Sequence, residues 1–129
     1  MAQIKVYGER GHLRRVRSPL SDAIHAAAMD ELGLPEEKRF HRFIGLDSDD
    51  FIYPPDRSPA YTIIEVSLFE GRSSDAKRAF LTSLMQRITA DVGLASSDLE
   101  ITLFETPRSH WGIRGEIADQ LALNYEVER

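Results

Sequence analysis

The 129-residue chain has no cysteine. Disulfides, thiolate metal sites and cysteine nucleophiles are therefore excluded. Its longest apolar runs are a few residues, far short of the roughly 20 that a membrane-crossing helix needs. No basic, apolar, then small-residue segment opens the chain, so no secretory leader is expected and a cytoplasmic setting fits. Positive charge is scarce: 16 Lys and Arg stand against 21 Asp and Glu, a formal net charge of −5. Nucleic-acid binding rests on phosphate neutralisation, so this balance argues against a nucleic-acid partner. The four histidines, at positions 12, 25, 41 and 110, show no metal-ligand spacing. His25, beside Ile24, reads as structural. Neither a G-x-S-x-G elbow nor a Gly-rich phosphate loop is present. No metal and no cofactor is expected.

What is present is organised around residues 61–104. In Tyr61–Phe69, Ile64, Val66 and Leu68 alternate with Ile63, Glu65 and Ser67, the period of a half-buried strand. Gly71 breaks it, and Ser73 or Ser74 can cap a helix whose first turn holds Asp75. Phe80, Leu81, Leu84, Met85, Ile88 and Val92 form one helical face, and Gly93 suits the left-handed residue that ends it. Leu99, Ile101 and Leu103 then alternate as a second strand. A strand, a helix and a strand in succession predict a right-handed β-α-β unit with parallel strands.

The first half repeats this pattern at an offset of 60 residues: Ile4 and Val6 fall on Ile64 and Val66, and Gly33-Leu34 on Gly93-Leu94. Gln3–Tyr7 is the first strand. Ser18 followed by Pro19 predicts a helix start, with Leu20, Ala23, Ile24, Ala27, Ala28 and Leu32 as its apolar face. Arg39–Leu46 is the second strand. The chain thus reads as one domain, with a first half over about 1–46, a connecting loop over 47–60, a second half over 61–105 and a tail over 106–129. Phe51, Ile52 and Tyr53 give the loop something to bury. In the tail, Pro107, Gly112 and Gly115 forbid a long helix before about Glu116, and the last residues suit a short strand.

Two tandem β-α-β units predict an α+β fold: a four-stranded mixed sheet with two helices on one face. The other face is left open, which calls for a partner surface, so an oligomer is expected.

Four basic features can carry chemistry. Arg72 lies in the turn where a strand ends and a helix begins, where backbone N–H groups and a guanidinium together suit a carboxylate. An exposed turn arginine is the alternative. Lys38 and Arg39 with His41 and Arg42 form a basic run, readable as an anion site or as a solvated edge strand. Trp111, among turn residues, is a packing anchor or the wall of a pocket that Arg114 faces. Arg10, His12, Arg14, Arg15 and Arg17 read as a solvated loop.

The duplicated pattern, with EVSLFEGRSSDAKRAFLTSLMQRI, GLASSDLEITLFE and HWGIRG, resembles the tautomerase superfamily, closest to its malonate semialdehyde decarboxylase-like branch. The resemblance covers essentially the whole chain. It implies a homotrimer whose open sheet faces pack around a three-fold axis. It also implies an isomerase-type site at the first residue of the first strand, where a terminal proline amine exchanges protons with small enol and oxo acids. Arginines hold the substrate carboxylate, and Arg72 matches one of them. Here Ala2 occupies the proline position, so removal of Met1 would leave a primary α-amine, of pKa about 7.7–8.0. Lys38 stands where the decarboxylase has an aspartate, and Glu70 where it has a further arginine. Decarboxylation is therefore not carried over. The sequence leaves an isomerase or related lyase of low or altered activity, or an inactive trimer that binds small anions.

Overall fold

The computed structural model describes residues 2–121 and residue 127. Strand β1 (Ala2–Glu9) runs directly into helix α1 (Arg10–Leu32), and the chain returns along β2 (His41–Leu46). A crossing loop leads to β3 (Thr62–Phe69), α2 (Ser74–Val92) and β4 (Leu99–Thr106). A small hairpin of β5 (Gly112–Ile113) and β6 (Glu116–Ile117) follows. The sheet order is β2-β1-β3-β4. Each β-α-β unit contributes a parallel pair, and the central β1–β3 pair is antiparallel. The expected mixed four-stranded sheet is what forms.

The internal repeat appears as local symmetry. Ile4 lies opposite Val66, Val6 opposite Ile64, and Lys5 opposite Glu65. A pseudo-two-fold axis therefore passes between Lys5 and Glu65, whose charged groups approach to 4.0 Å. Ala2, Ile4 and Val6 alternate into the core with Ile64, Val66 and Leu68. They pack beneath Leu20, Ile24 and Ala27 of α1 and Phe80, Leu84 and Ile88 of α2. Gly33 and Gly93 end the two helices at φ 68° and 80°, conformations that cost glycine least. The opposite sheet face carries Lys5, Tyr7, Ile63, Glu65 and Ser67, all half-buried. Phe104, on the same face, is 47% exposed.

The structure corrects the first helix. It begins at Arg10 rather than Ser18, and Pro19 lies inside it. Leu13, Val16 and Leu20 extend the apolar stripe two turns upstream, and their burial offsets the missing rung at proline. No loop separates β1 from α1, so the helix crosses close over the sheet. The paired Gly8 and Gly45 allow this approach. A Cβ at Gly8 would lie 2.9 Å from Leu13 Cδ2, and one at Gly45 3.2 Å from the Arg10 Cα. Arg10, Arg14, Arg15 and Arg17 are thus exposed helix residues, and His12 is buried.

Three further expectations meet the structure. In the crossing loop Phe51 and Tyr53 pack against Tyr61, with centroids 5.5 and 5.2 Å away, but Ile52 is 92% exposed. Neighbouring side chains of an extended segment point in opposite directions, so burying positions 51 and 53 turns 52 outward. Glu116 enters a strand instead of a helix, because Arg114 and Gly115, at φ 50° and 84°, make a two-residue hairpin turn. The short strand expected at the extreme end of the chain lies outside the described residues.

Candidate functional site

The register of the sheet gathers most of the candidate residues at one end. Ala2 opens β1 opposite Leu68. The Ile4 amide donates to the Phe40 carbonyl at 3.0 Å, which fixes the segment containing Lys38 and Arg39 beside the start of β1. Amide directions alternate along a strand, so the Ala2 nitrogen faces that same segment. Beyond Leu68, β3 ends at Phe69 and the chain turns through Glu70 and Gly71 to Arg72. Glu70 donates its amide to the Thr106 carbonyl at 2.9 Å, so the exit of β4 and the hairpin after it belong to this end too.

Individual side chains behave differently. Ala2 is 3% exposed. Arg72 is 5% exposed, and its Nη1 donates to the Phe69 carbonyl at 3.4 Å; it is not an exposed turn arginine. The Ser73 hydroxyl caps α2 by accepting from the Ala76 amide at 3.1 Å, which orients the turn that holds Arg72. Lys38 is half-buried, in a turn closed by its own amide to the Pro35 carbonyl. The strand expected from Arg39 is thereby shortened, and β2 begins only at His41. Arg39 is exposed and donates to Asp22 at 2.7 Å. Trp111 packs edge-on to Phe69, with centroids 5.0 Å apart, and its indole N–H donates to Thr106 Oγ1 at 2.6 Å. Arg114 stands exposed on the hairpin turn.

Two residues went unweighed in the sequence. The Arg108 guanidinium lies 5.7 Å from the Phe69 ring centre and donates to the carbonyls of Ala118 and Leu121, tying the tail to this end. Ser21 Oγ lies 2.7 Å from His41 Nδ1, linking α1 to β2. No local motif marks either contact, since each partner is distant in sequence. Beside this pair, the His25 Nε2–H donates to the Glu36 carbonyl at 2.8 Å, in keeping with a structural histidine. Among the described residues no group of three or more His, Asp or Glu is placed to hold a metal, and no helix is long and apolar enough to cross a membrane.

Burial, reinforced by His25 and Arg39, pushes the His41 imidazole down to about 4. In the unfolded chain a histidine titrates near about 6.5. Below that pH the unfolded state gains a proton that the folded state refuses, so stability falls from about pH 6.5 towards pH 4. At about pH 4.5 the loss is on the order of 2 kcal/mol. Urea unfolding near neutrality and near pH 4.5 should show wild type losing about 2 kcal/mol more than His41→Gln. Equal losses would mean that His41 is not held neutral.

Comparison with known proteins agrees with this architecture. A probable tautomerase of Ralstonia nicotianae is 38% identical over 53 residues, covering 41% of this chain and 76% of the relative. A probable tautomerase of Bacillus subtilis is 27% identical over 110 residues, covering 78% and 87%. Malonate semialdehyde decarboxylase superposes with a TM-score of 0.78 at 22% identity, over 89% of this chain and 93% of that one. A fused 4-OT solved as an asymmetric trimer gives 0.80 at 23% identity, over 91% and 96%. These solved structures share the fold. The family model described as tautomerase enzyme matches residues 38–114, from the turn beside β1 through α2 and β4 to the hairpin tip. With well over half the chain matched and the β1 start, the Arg72 turn and the hairpin on one end of the sheet, this protein belongs to the tautomerase family.

Proposed function

We propose that the chain is an isomerase-type enzyme, or related lyase, of low or altered activity that acts on small enol and oxo carboxylic acids. Removal of Met1 exposes the Ala2 amine at the start of β1. With a pKa of about 7.7–8.0, roughly a tenth of such an amine is free base at neutrality. It accepts the enol proton and returns one to the adjacent carbon, so the enol becomes the ketone with no net change in protons. Arg72 holds the substrate carboxylate, Lys38 and Arg39 supply further positive charge, and Trp111 and Arg114 wall the site. The observation that carries this reading is the register that brings Ala2, the Lys38 segment and the Arg72 turn to one end of the sheet. The working unit is a homotrimer of one-domain chains in the cytoplasm, with the open sheet face covered by neighbouring copies. The trimeric fused 4-OT supports that assembly, and no cofactor is required.

The burial of Arg72 and its bond to the Phe69 carbonyl favour a second reading. In that reading Arg72 braces the turn, and the trimer binds small anions without turning them over. The rate of phenylenolpyruvate ketonisation, followed by ultraviolet absorbance, separates the two. Wild type should exceed buffer, and Arg72→Ala should lose about tenfold, as expected for one lost charge-assisted contact. Circular dichroism would establish that the variant is folded. Rates equal to buffer for both proteins would sink the enzyme reading and leave the binding one.

A further inference from the structure

Two cavities flank the start of β2 and share Arg39 and His41. One, of about 350 Å³, opens beside Gln3 and Phe40 at the end of the sheet already described. The other, of about 380 Å³, lies between β2 and the outer side of α1. Apart from Arg39, which borders both cavities, its lining takes no part in the proton transfer proposed above. Positions 17, 18, 21 and 22 of α1 line it, a spacing that puts all four on one helical face.

We propose that this α1–β2 cavity binds a phosphate group, with Arg17 and Arg39 as its cations and Ser18 and Ser21 as neutral partners. Arg17 makes no ion pair among the described residues, so its charge is available. The single acid in the cavity, Asp22, is already engaged by Arg39 Nη1 at 2.7 Å. That contact fixes the guanidinium in the cavity wall while leaving most of its five N–H donors for a ligand. The same Nη1 lies 3.4 Å from Ser21 Oγ, so cation and hydroxyl converge. Two guanidiniums against one carboxylate leave a net positive lining.

The Ser21–His41 contact adds a donor in one of its two tautomers. If the hydroxyl donates to His41 Nδ1, the ring carries its proton on Nε2. If Nδ1 donates instead, the Ser21 hydroxyl proton is free to turn towards a ligand. Several donors on different sides suit a tetrahedral group with three acceptor oxygens better than a planar carboxylate. Phe43 forms an apolar wall, where the organic part of a phosphate monoester could rest. The surroundings favour an anion too. Residues 10–17 hold four arginines and no acid, in a chain of net charge −5, and such a local excess concentrates anions at the surface.

Calorimetric titration of the full chain with inorganic phosphate and with phenyl phosphate, at constant ionic strength, tests this. Saturable binding of one equivalent is expected, weakened about tenfold in Arg17→Gln by loss of a bidentate donor. Arg14→Gln removes the same charge from the same helix outside the cavity, and should leave affinity within about twofold of wild type. Arg72→Ala should not change it, which separates this site from the one at the strand ends. Tighter binding of phenyl phosphate would identify an organic phosphate lying against Phe43, and equal binding would identify phosphate itself. The proposal is overturned by absence of saturable heat at millimolar probe, by equal binding in wild type and Arg17→Gln, by an equal loss in Arg14→Gln, or by a matching loss in Arg72→Ala.

Discussion

Ala2→Pro is expected to raise the rate of phenylenolpyruvate ketonisation by about a hundredfold, the scale set by small errors in placing a reacting group. In the wild type the proposed base is a primary amine at the first residue of β1. Pairing with Leu68 fixes the Ala2 Cα, but rotation about the N–Cα bond leaves the amine lone pair free to point away from substrate. A pyrrolidine ring removes that rotation and holds the lone pair in one direction. The sheet should accept the change, because proline is tolerated at the first residue of a strand. The nitrogen faces the Lys38 segment in either case, so the substrate's surroundings are preserved. Mass analysis must show that Met1 is absent from both proteins. A proline terminus with an unchanged rate would place the chemistry elsewhere in the molecule.

The second β-α-β unit could be read directly because each of its boundaries has a local chemical cause. Ser73 caps α2, Asp75 sits in its first turn, and Gly93 takes the left-handed residue at its end. The start of α1 offered none of these. Its N-cap, Glu9, makes no side-chain capping bond, and its first turn holds no acid. The Ser18-Pro19 pair imitates a helix start, and what overrides it is tertiary: Leu13 packing over Gly8 of β1 and Arg10 over Gly45 of β2. The candidate site divides in the same way. Arg72 stood out because periodicity locates the strand end and helix start on either side of it, whereas Ala2 was found through the family resemblance alone. The short distance between Ser21 and His41 depends on how α1 sits across β2, and no pattern of 20 residues encodes that. Ile52 was expected to be buried from its type alone, but the extended backbone at Phe51 turned it to solvent.

Asp98→Ala is expected to destabilise the fold by about 3 kcal/mol, the upper part of the range for hydrogen bonds to a charged group. Asp98 is buried at the start of β4, and its carboxylate is the anchor for the crossing loop. One oxygen accepts from the Ser58 amide at 2.8 Å and the other from the Ser58 hydroxyl at 2.6 Å. That hydroxyl oxygen in turn accepts from the Ala60 amide at 3.1 Å, and the Ser58 carbonyl takes the Tyr61 amide at 2.9 Å. Removing the carboxylate leaves the Ser58 amide without its acceptor in a part-buried place, where desolvation is not recovered. Glu100, which accepts from Arg57 at 2.7 Å and from Tyr61 at 2.6 Å, holds the same loop from an exposed position and cannot substitute. Urea unfolding of Asp98→Ala, Ser58→Ala and the double variant should therefore show strongly non-additive losses, because both single changes break one unit. A loss below about 1 kcal/mol in Asp98→Ala would mean that the loop is held by its aromatic contacts instead. This strap lies where Thr62 pairs with Gly8 and Leu99, at the end of the sheet opposite Ala2. Folded Asp98→Ala should consequently keep the wild-type ketonisation rate, so that stability and chemistry separate along the length of one sheet.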